Sequence, residues 1–133
     1  MIYFTLPNFY ENFTINNFFI ELKQNFSNFF KIQFAFVGET GNFPYNYWNG
    51  GYNTNQGPGC TYPTIYDCNK DTTLPLRLNC SNIFLNRNDF EDNVANTILD
   101  ICHDSSNQIE ISNLDFYLYL KDKYPKYNFI FSK

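Results

Sequence analysis

The sequence predicts a single α/β domain over residues 1–133, built as part of a (β/α) barrel of the TIM-barrel type with parallel strands. Three observations support this prediction. First, the segments with helical or strand periodicity follow the order β-α-β-loop-β-α-β-α-β. Second, single helices join successive strands, and such right-handed crossovers make neighbouring strands parallel. Third, the later strands are apolar on one face and polar on the other. A polar face suits a barrel interior, whereas the alternative, a small open doubly wound parallel sheet, needs strands that are apolar on both faces.

Two strands and one amphipathic helix are predicted in the first part of the chain. The first strand covers residues 2–6 and ends at Pro7. Apolar residues then recur with helical spacing, which predicts a helix whose apolar stripe faces the core. The stripe consists of Ile15, Phe18, Phe19, Leu22, Phe26, Phe29 and Phe30. Residues 32–39 form the second predicted strand.

A long loop without helical or strand periodicity covers residues 40–74, with room for one short helix. It contains the single tryptophan, Trp48, followed by Asn49, Gly50 and Gly51. The loop leaves the carboxyl end of a strand, where parallel α/β folds place their sites. We therefore predict that these four residues bind substrate as part of a lid. The alternative is a loose insertion without a function.

Three strands separated by two helices are predicted in the rest of the chain. The strands are residues 76–80, 108–112 and 128–133. Capping patterns begin the two helices, Asn88 with Glu91 for the first and Ser112 with Asp115 for the second. Five strands are fewer than the eight of a closed barrel. We expect either the N-terminal part of a longer barrel or an open sheet whose exposed edge binds a protein partner.

Composition and charge exclude several classes of function. The net charge is −4, and the basic residues form no stripe, which argues against a nucleic-acid partner. No signal peptide is recognisable at the start, and no apolar run approaches the ~20 residues that cross a bilayer. We expect an asparagine-rich cytoplasmic protein that is not bound to a membrane.

The four cysteines do not have the spacing of a zinc or iron–sulfur site, so no metal is predicted. Cys80 and Cys102 fall within apolar periods, as buried thiols do. Cys60 and Cys68 flank a short loop segment, and whether they form a disulfide is left open. Whether the protein uses a cofactor is left open by the sequence.

Five short motifs resemble an uncharacterised bacterial family of barrel-like proteins. They are LPNFYEN from Leu6, WNGG from Trp48, LRLNCSN from Leu76, IEIS from Ile109 and YPKYNFIFSK from Tyr124. That family has an LP-x-F-x-E start, a W-G-G-G loop, an R-L-T-F-S-N strand and a Y-P-x-x-x-F strand. The resemblance spans nearly the whole chain and about the first half of the family's length. It implies a barrel-like fold and no particular activity.

Candidate site residues lie on the strands and at their carboxyl ends. Glu39, Asn82 and Lys133 are expected to bind a polar small molecule. Arg77 either binds a substrate carboxylate or phosphate, or forms an interior ion pair with Glu110 on the next strand. Glu39 and Glu110 are the candidate catalytic residues, each able to serve as a general base.

Two classes of function remain open at this point. The first is an enzyme domain that acts on a small polar or anionic substrate at the carboxyl ends of the strands. The second is a non-catalytic module whose aromatic, asparagine-rich loop binds a glycan or a protein. The position of Trp48 distinguishes them, because a lid covers the strand ends and a binding platform projects away from them.

Overall fold

The computed structural model describes residues 2–7, 13–29, 31, 33–40, 48 and 74–132. Its strands are β1 (Ile2–Leu6), β2 (Phe34–Glu39), β3 (Leu76–Cys80), β4 (Gln108–Ile111) and β5 (Asn128–Phe131). Its α-helices are α1 (Phe13–Asn25), α2 (Asn93–Ile101) and α3 (Leu114–Lys123), and 3-10 helices cover Ser27–Phe29 and Arg87–Glu91. The short helix predicted in the long loop lies outside the described residues.

All five strands are parallel and follow the order β1-β2-β3-β4-β5. The sheet curls into half of a barrel, with helices between the strands. This arrangement confirms the predicted partial α/β barrel. A doubly wound sheet reverses its strand order part-way, and this sheet does not.

The two faces of the sheet differ as the alternation predicted. On the outer face, side chains of the central strands have no exposed surface or almost none, namely Leu76, Leu78, Cys80, Ile109 and Ile111. They form the core with Phe116 and Leu120 of α3 and Ile98 and Leu99 of α2. On the inner face, Arg77, Asn79, Gln108 and Glu110 are half-buried. Apolar burial therefore stabilises one face and leaves the other polar.

The start of the helical segment between β3 and β4 differs from the prediction. A capping box of Asn86 and Asp89 begins the 3-10 helix, and Asp92 then caps α2 by accepting the amide N–H of Ala95. The predicted pair Asn88 and Glu91 therefore lies inside the 3-10 helix. The chain offers several Asn and Asp residues in succession, and each is a good helix cap.

A buried asparagine joins the amino-terminal ends of the strands. Asn107 Oδ1 accepts the backbone N–H of Leu76 at 3.0 Å, and its Nδ2 donates to the carbonyl of Cys102 at 2.8 Å. Its own carbonyl accepts the N–H of Asn128 at 3.0 Å. This side chain and its carbonyl thus hold β3, the end of α2 and β5 together.

The first helix contradicts the expectation that its apolar stripe faces the core. Asn16 and Ile20 are buried, and the Lys23 ammonium lies over the Phe34 ring at 4.9 Å from its centroid. The described members of the stripe are 38–78% exposed, namely Ile15, Phe18, Phe19, Leu22, Phe26 and Phe29. The helix therefore packs on the sheet through a neighbouring face, and the stripe points away from the core.

Candidate functional site

Four strands contribute to a polar cluster on the inner face of the sheet. Its centre is the Arg77 guanidinium on β3, whose Nε donates to Gln108 Oε1 on β4 at 2.9 Å. Arg77 Nη1 donates to Thr5 Oγ1 on β1 at 3.0 Å and to Glu39 Oε2 on β2 at 3.4 Å. The pairing register explains the assembly, because Glu39, Arg77 and Gln108 stand level on neighbouring strands.

The ion pair of Arg77 forms with Glu39 and not with Glu110. The Nη1–Oε2 distance is 3.4 Å, and the two side chains are 17% and 19% exposed. Glu110 stands level with Asn79, two residues further along β3, so Gln108 takes the place beside Arg77. The predicted pair of Arg77 with Glu110 is therefore corrected to Arg77 with Glu39. Partial burial shields this pair from water and strengthens it relative to a surface ion pair.

Glu39 and Glu110 form a pair of interacting carboxyl groups. Burial raises the pKa of Glu39, and the negative charge of Glu110 raises it further. The Arg77 guanidinium opposes both effects. The structure thus brings together both candidate catalytic residues and the candidate anion-binding arginine.

Small polar side chains continue the inner face towards the carboxyl ends of the strands. Ser81 Oγ donates to Asn79 Oδ1 at 2.6 Å. Ser112 Oγ lies 3.0 Å from Ser132 Oγ. Asn113, and not Ser112 as predicted, caps α3 by accepting the amide N–H three residues on. Ser112 therefore remains part of the inner face rather than of the helix cap.

Asn82 has a local structural role. Its Oδ1 accepts the backbone N–H of Phe84 at 2.9 Å, which forms a turn after β3. Its own N–H donates to the carbonyl of Trp48 at 2.9 Å. The structure does not place Asn82 in the polar cluster around Arg77, and Lys133 lies outside the described residues.

Trp48 is a core residue in this structure. Its side chain has no exposed surface, and its ring centroid lies 4.8 Å from that of Phe116 in an edge-to-face contact. Its Nε1 donates to the backbone carbonyl of Asp89 at 2.6 Å. A large ring packs well in the core when its N–H has an acceptor there. The burial of Trp48 does not support its predicted role in binding substrate, which stays a prediction; Asn49, Gly50 and Gly51 lie outside the described residues.

Thr5 and Gln108 were missed in the sequence, although they complete the hydrogen bonds of Arg77. The alternation of side chains along β1 and β4 could have identified them, since both residues fall on the same face as Arg77 once the strands are aligned. The sequence alone does not give the register between strands that makes them neighbours.

Cys80 and Cys102, the two cysteines in the described part of the chain, are buried free thiols. Burial raises the pKa of Cys102 to about 11 and raises that of Cys80 as well, which keeps both thiols protonated at neutral pH. Within the described part of the chain, no three His, Cys, Asp or Glu residues are placed to hold a metal ion. No helix there is long and apolar enough to cross a membrane. Cys60 and Cys68 fall in the part of the loop that is not described.

No family model, curated protein or solved structure matches this chain. The resemblance to a bacterial barrel-like family stays an expectation, and the inner-face cluster has to be interpreted from its own chemistry.

Proposed function

We propose that the inner face of the half-barrel is the catalytic surface of an enzyme that performs general acid–base chemistry on a small polar or anionic substrate. The observation that carries the proposal is the half-buried Glu39 carboxyl group, which is ion-paired with Arg77 at 3.4 Å and lies within the influence of the Glu110 charge on the same face. Enzymes place carboxyl groups in such surroundings because interaction moves their pKa values apart.

The carboxyl pair supplies both a proton donor and a proton acceptor. In this proposal Glu39, whose pKa is raised, acts as the general acid, and Glu110 acts as the general base. Raising the pKa of Glu39 brings it closer to neutral pH, where proton transfer in both directions is most effective. A proton removed by one carboxylate can then be returned by the other.

Arg77 supplies the anion-binding group of the proposal. Its Nε and Nη1 atoms are held by Gln108, Thr5 and Glu39. Among the described residues, no side chain accepts a hydrogen bond from its Nη2, so two N–H donors remain for a carboxylate or a phosphate. The fixed guanidinium would orient such a substrate next to the carboxyl pair.

Binding of simple anions tests the role of Arg77. We expect inorganic phosphate and small carboxylates to shift backbone amide resonances of the inner face in an NMR titration. Arg77→Gln should weaken this binding at least about tenfold, because the positively charged donor is lost. Arg87→Gln is the matched control, since Arg87 lies on the outside of the molecule and is exposed. Equal binding by wild type and Arg77→Gln would remove the anion-binding part of the proposal.

The carboxyl pair has its own test. Side-chain carboxyl resonances should show Glu39 titrating above the ordinary range of glutamate. Glu110→Gln should remove the repulsive part of that increase. Titration of Glu39 in the ordinary range, or a titration of Glu39 that Glu110→Gln leaves unchanged, would exclude the acid–base proposal.

The alternative of a glycan- or protein-binding module loses its main aromatic group, because the Trp48 ring is buried. The rest of its loop lies outside the described residues. Glycan binding that survives both Arg77→Gln and Glu39→Gln would favour this alternative over the enzyme.

A further inference from the structure

A hydrogen-bond donor and an acceptor stand side by side on the inner face, beyond Arg77. Asn79 and Glu110 are level on β3 and β4. Asn79 Oδ1 accepts both the amide N–H and the hydroxyl of Ser81, at 3.2 and 2.6 Å. Among the described residues, no group accepts a hydrogen bond from Asn79 Nδ2, so its N–H donors are available beside the Glu110 carboxyl group.

This pairing of donor and acceptor selects one kind of ligand group. Neighbouring strands lie about 4.8 Å apart, so a single oxygen atom can reach both side chains with hydrogen bonds of about 2.9 Å. To bind both, that group has to accept from Asn79 Nδ2 and donate to the Glu110 carboxylate. An alcohol hydroxyl does both, whereas a carbonyl only accepts and an ammonium only donates.

Three hydroxyl groups follow at the carboxyl ends of β3, β4 and β5. Ser81, Ser112 and Ser132 each come directly after the last paired residue of their strand, so they stand level, and all three are half-buried. Ser112 Oγ lies 3.0 Å from Ser132 Oγ and 3.3 Å from the Ser132 carbonyl oxygen. When Ser112 donates to that carbonyl and Ser132 donates to Ser112, both hydroxyl protons are engaged.

These hydroxyl groups therefore offer acceptors to a ligand. The proton of Ser81 is also engaged, because its hydroxyl donates to Asn79 Oδ1. Each serine oxygen keeps a lone pair for a hydrogen bond from outside. The carboxyl ends of the three strands thus match a ligand that donates hydrogen bonds, as a second or third alcohol hydroxyl would.

The separation between Arg77 and the serines sets the length of a ligand that contacts both. Ser81 comes four residues after Arg77, which corresponds to about 13 Å at ~3.3 Å per residue of a parallel strand. Two hydrogen bonds of about 2.9 Å leave about 7 Å for the ligand itself. An extended chain covers about 7 Å in roughly six bonds. In an open-chain sugar acid, six bonds lead from a carboxylate oxygen to the hydroxyl oxygen of the fifth carbon.

Charge fixes the direction in which such a ligand lies. The Arg77 guanidinium has two N–H donors at Nη2 for an anionic group. The serine end has no charged side chain among Ser81, Ser112 and Ser132, and Glu110 between the two ends would repel an anion. The anionic end of the ligand therefore belongs beside Arg77, and its hydroxyl groups belong beside the serines.

We propose that the substrate of the inner face is an open-chain polyhydroxylated anion of five or six carbons, with its carboxylate or phosphate at Arg77 and its hydroxyl groups along Asn79, Glu110 and the serines. The inference rests on the proposed function, because it names the class of molecule that the same surface would bind. Carboxylate and phosphate share the chemistry that Arg77 recognises.

A series of matched ligands tests the substrate class by calorimetry or NMR titration of wild type. D-gluconate and sorbitol 6-phosphate represent the carboxylate and phosphate forms, hexanoate has no hydroxyl groups, and sorbitol has no charge. At least one of the first two should bind at least about tenfold more tightly than both hexanoate and sorbitol, because it alone forms both sets of contacts. Equal affinity of gluconate and hexanoate, together with equal affinity of sorbitol 6-phosphate and inorganic phosphate, would overturn the proposal.

Removal of the hydroxyl groups tests the serine end. Ser112→Ala combined with Ser132→Ala should weaken binding of the tighter polyhydroxylated anion at least about tenfold and leave hexanoate affinity unchanged. The combination of Ser112→Thr with Ser132→Thr, which keeps both hydroxyl groups, should retain most of the affinity. Ser106→Ala is the matched control, because the Ser106 hydroxyl donates to Asp104 Oδ1 at 2.6 Å in the same local pattern as Ser81 but on an exposed turn before β4.

Proportional loss of both ligands in the alanine variant would show a merely structural role for the serines and overturn this end of the site. If the alanine variant does not fold, the wild-type protein provides the test. Amide resonances of Ser112 and Ser132 should then shift with the polyhydroxylated anion and not with hexanoate, and shifts with neither would contradict the proposal.

The outcomes also separate this inference from the proposed function. Binding of phosphate and hexanoate that Arg77→Gln weakens, without any gain from ligand hydroxyl groups, would overturn the substrate class and keep the anion site. Absence of binding by every anion would overturn both. Sorbitol binding as tight as that of gluconate would remove the anionic end from the proposal and favour the glycan-binding alternative.

Discussion

The β3–β5 side of the molecule and the β1–α1 side are built from the same kind of strand–helix unit, yet they differ in how far their apolar side chains are buried. Outer-face residues of β3 have no exposed surface, whereas those of β1 are about half exposed at Ile2 and Phe4. Likewise α3 buries Phe116 and Leu120, and α1 buries Asn16 and Ile20 while its Phe18 and Phe19 are exposed. The comparison teaches that an apolar stripe defines a helix but not its partner, because burial depends on which neighbouring elements are present.

The largest expected difference concerns the free energy of unfolding when one phenylalanine on each side is replaced by alanine. Phe116→Ala should lower the free energy of unfolding by about 3–5 kcal/mol, because it leaves a cavity among buried side chains. Phe18→Ala should change it by less than about 0.5 kcal/mol, because the Phe18 side chain is exposed. Urea unfolding measures both, and similar losses in the two variants would break the distinction between the two sides.

A smaller effect is expected at Trp48. Trp48→Phe removes the donor to the Asp89 carbonyl and part of the ring packed against Phe116. We expect a loss of about 1–3 kcal/mol in the free energy of unfolding, with phosphate affinity unchanged. The opposite pattern, intact stability with weakened phosphate binding, would return this tryptophan to the site.

The smallest effect concerns the pH dependence of stability on the inner face. The pKa of Glu39 is higher in the folded protein than its ordinary value of 4.5, so the folded state binds this proton more tightly. That contribution to stability is complete below the ordinary pKa and is lost as pH rises through the folded pKa. Glu39→Gln should therefore flatten the decline in stability over that range, and Glu91→Gln, on the exposed 3-10 helix, should not. An unchanged slope in Glu39→Gln would show that the carboxyl pair is not coupled to folding.

The secondary structure and the two faces of the sheet could be predicted from the sequence. The alternation of Leu76–Cys80 gave the bounds of β3 and its buried and polar sides. Such patterns are local, since each side chain's direction follows from the strand period alone. The same logic placed Arg77 and Glu110 on the inner face.

The relations between elements could not be predicted in the same way. Pairing Arg77 with Glu39 depends on the register between β2 and β3. Glu110 was expected to stand level with Arg77, but it stands level with Asn79, two residues further along β3. The burial of Trp48 depends on contacts with Asp89 and Phe116, which lie far along the chain. Neither property leaves a periodic signal, because both arise from the stacking of separate elements.

The alternation along the central strands has a consequence for how such a protein can evolve. Leu78 and Asn79 are neighbours in the chain, but one is in the core and the other faces the interior near Glu110. Substitutions at every second strand position are therefore constrained by packing of the core, while those between them are constrained by the hydrogen bonds of the inner face. Single nucleotide changes at the inner positions can therefore alter the polar surface of the half-barrel while the apolar scaffold on its outer face stays the same.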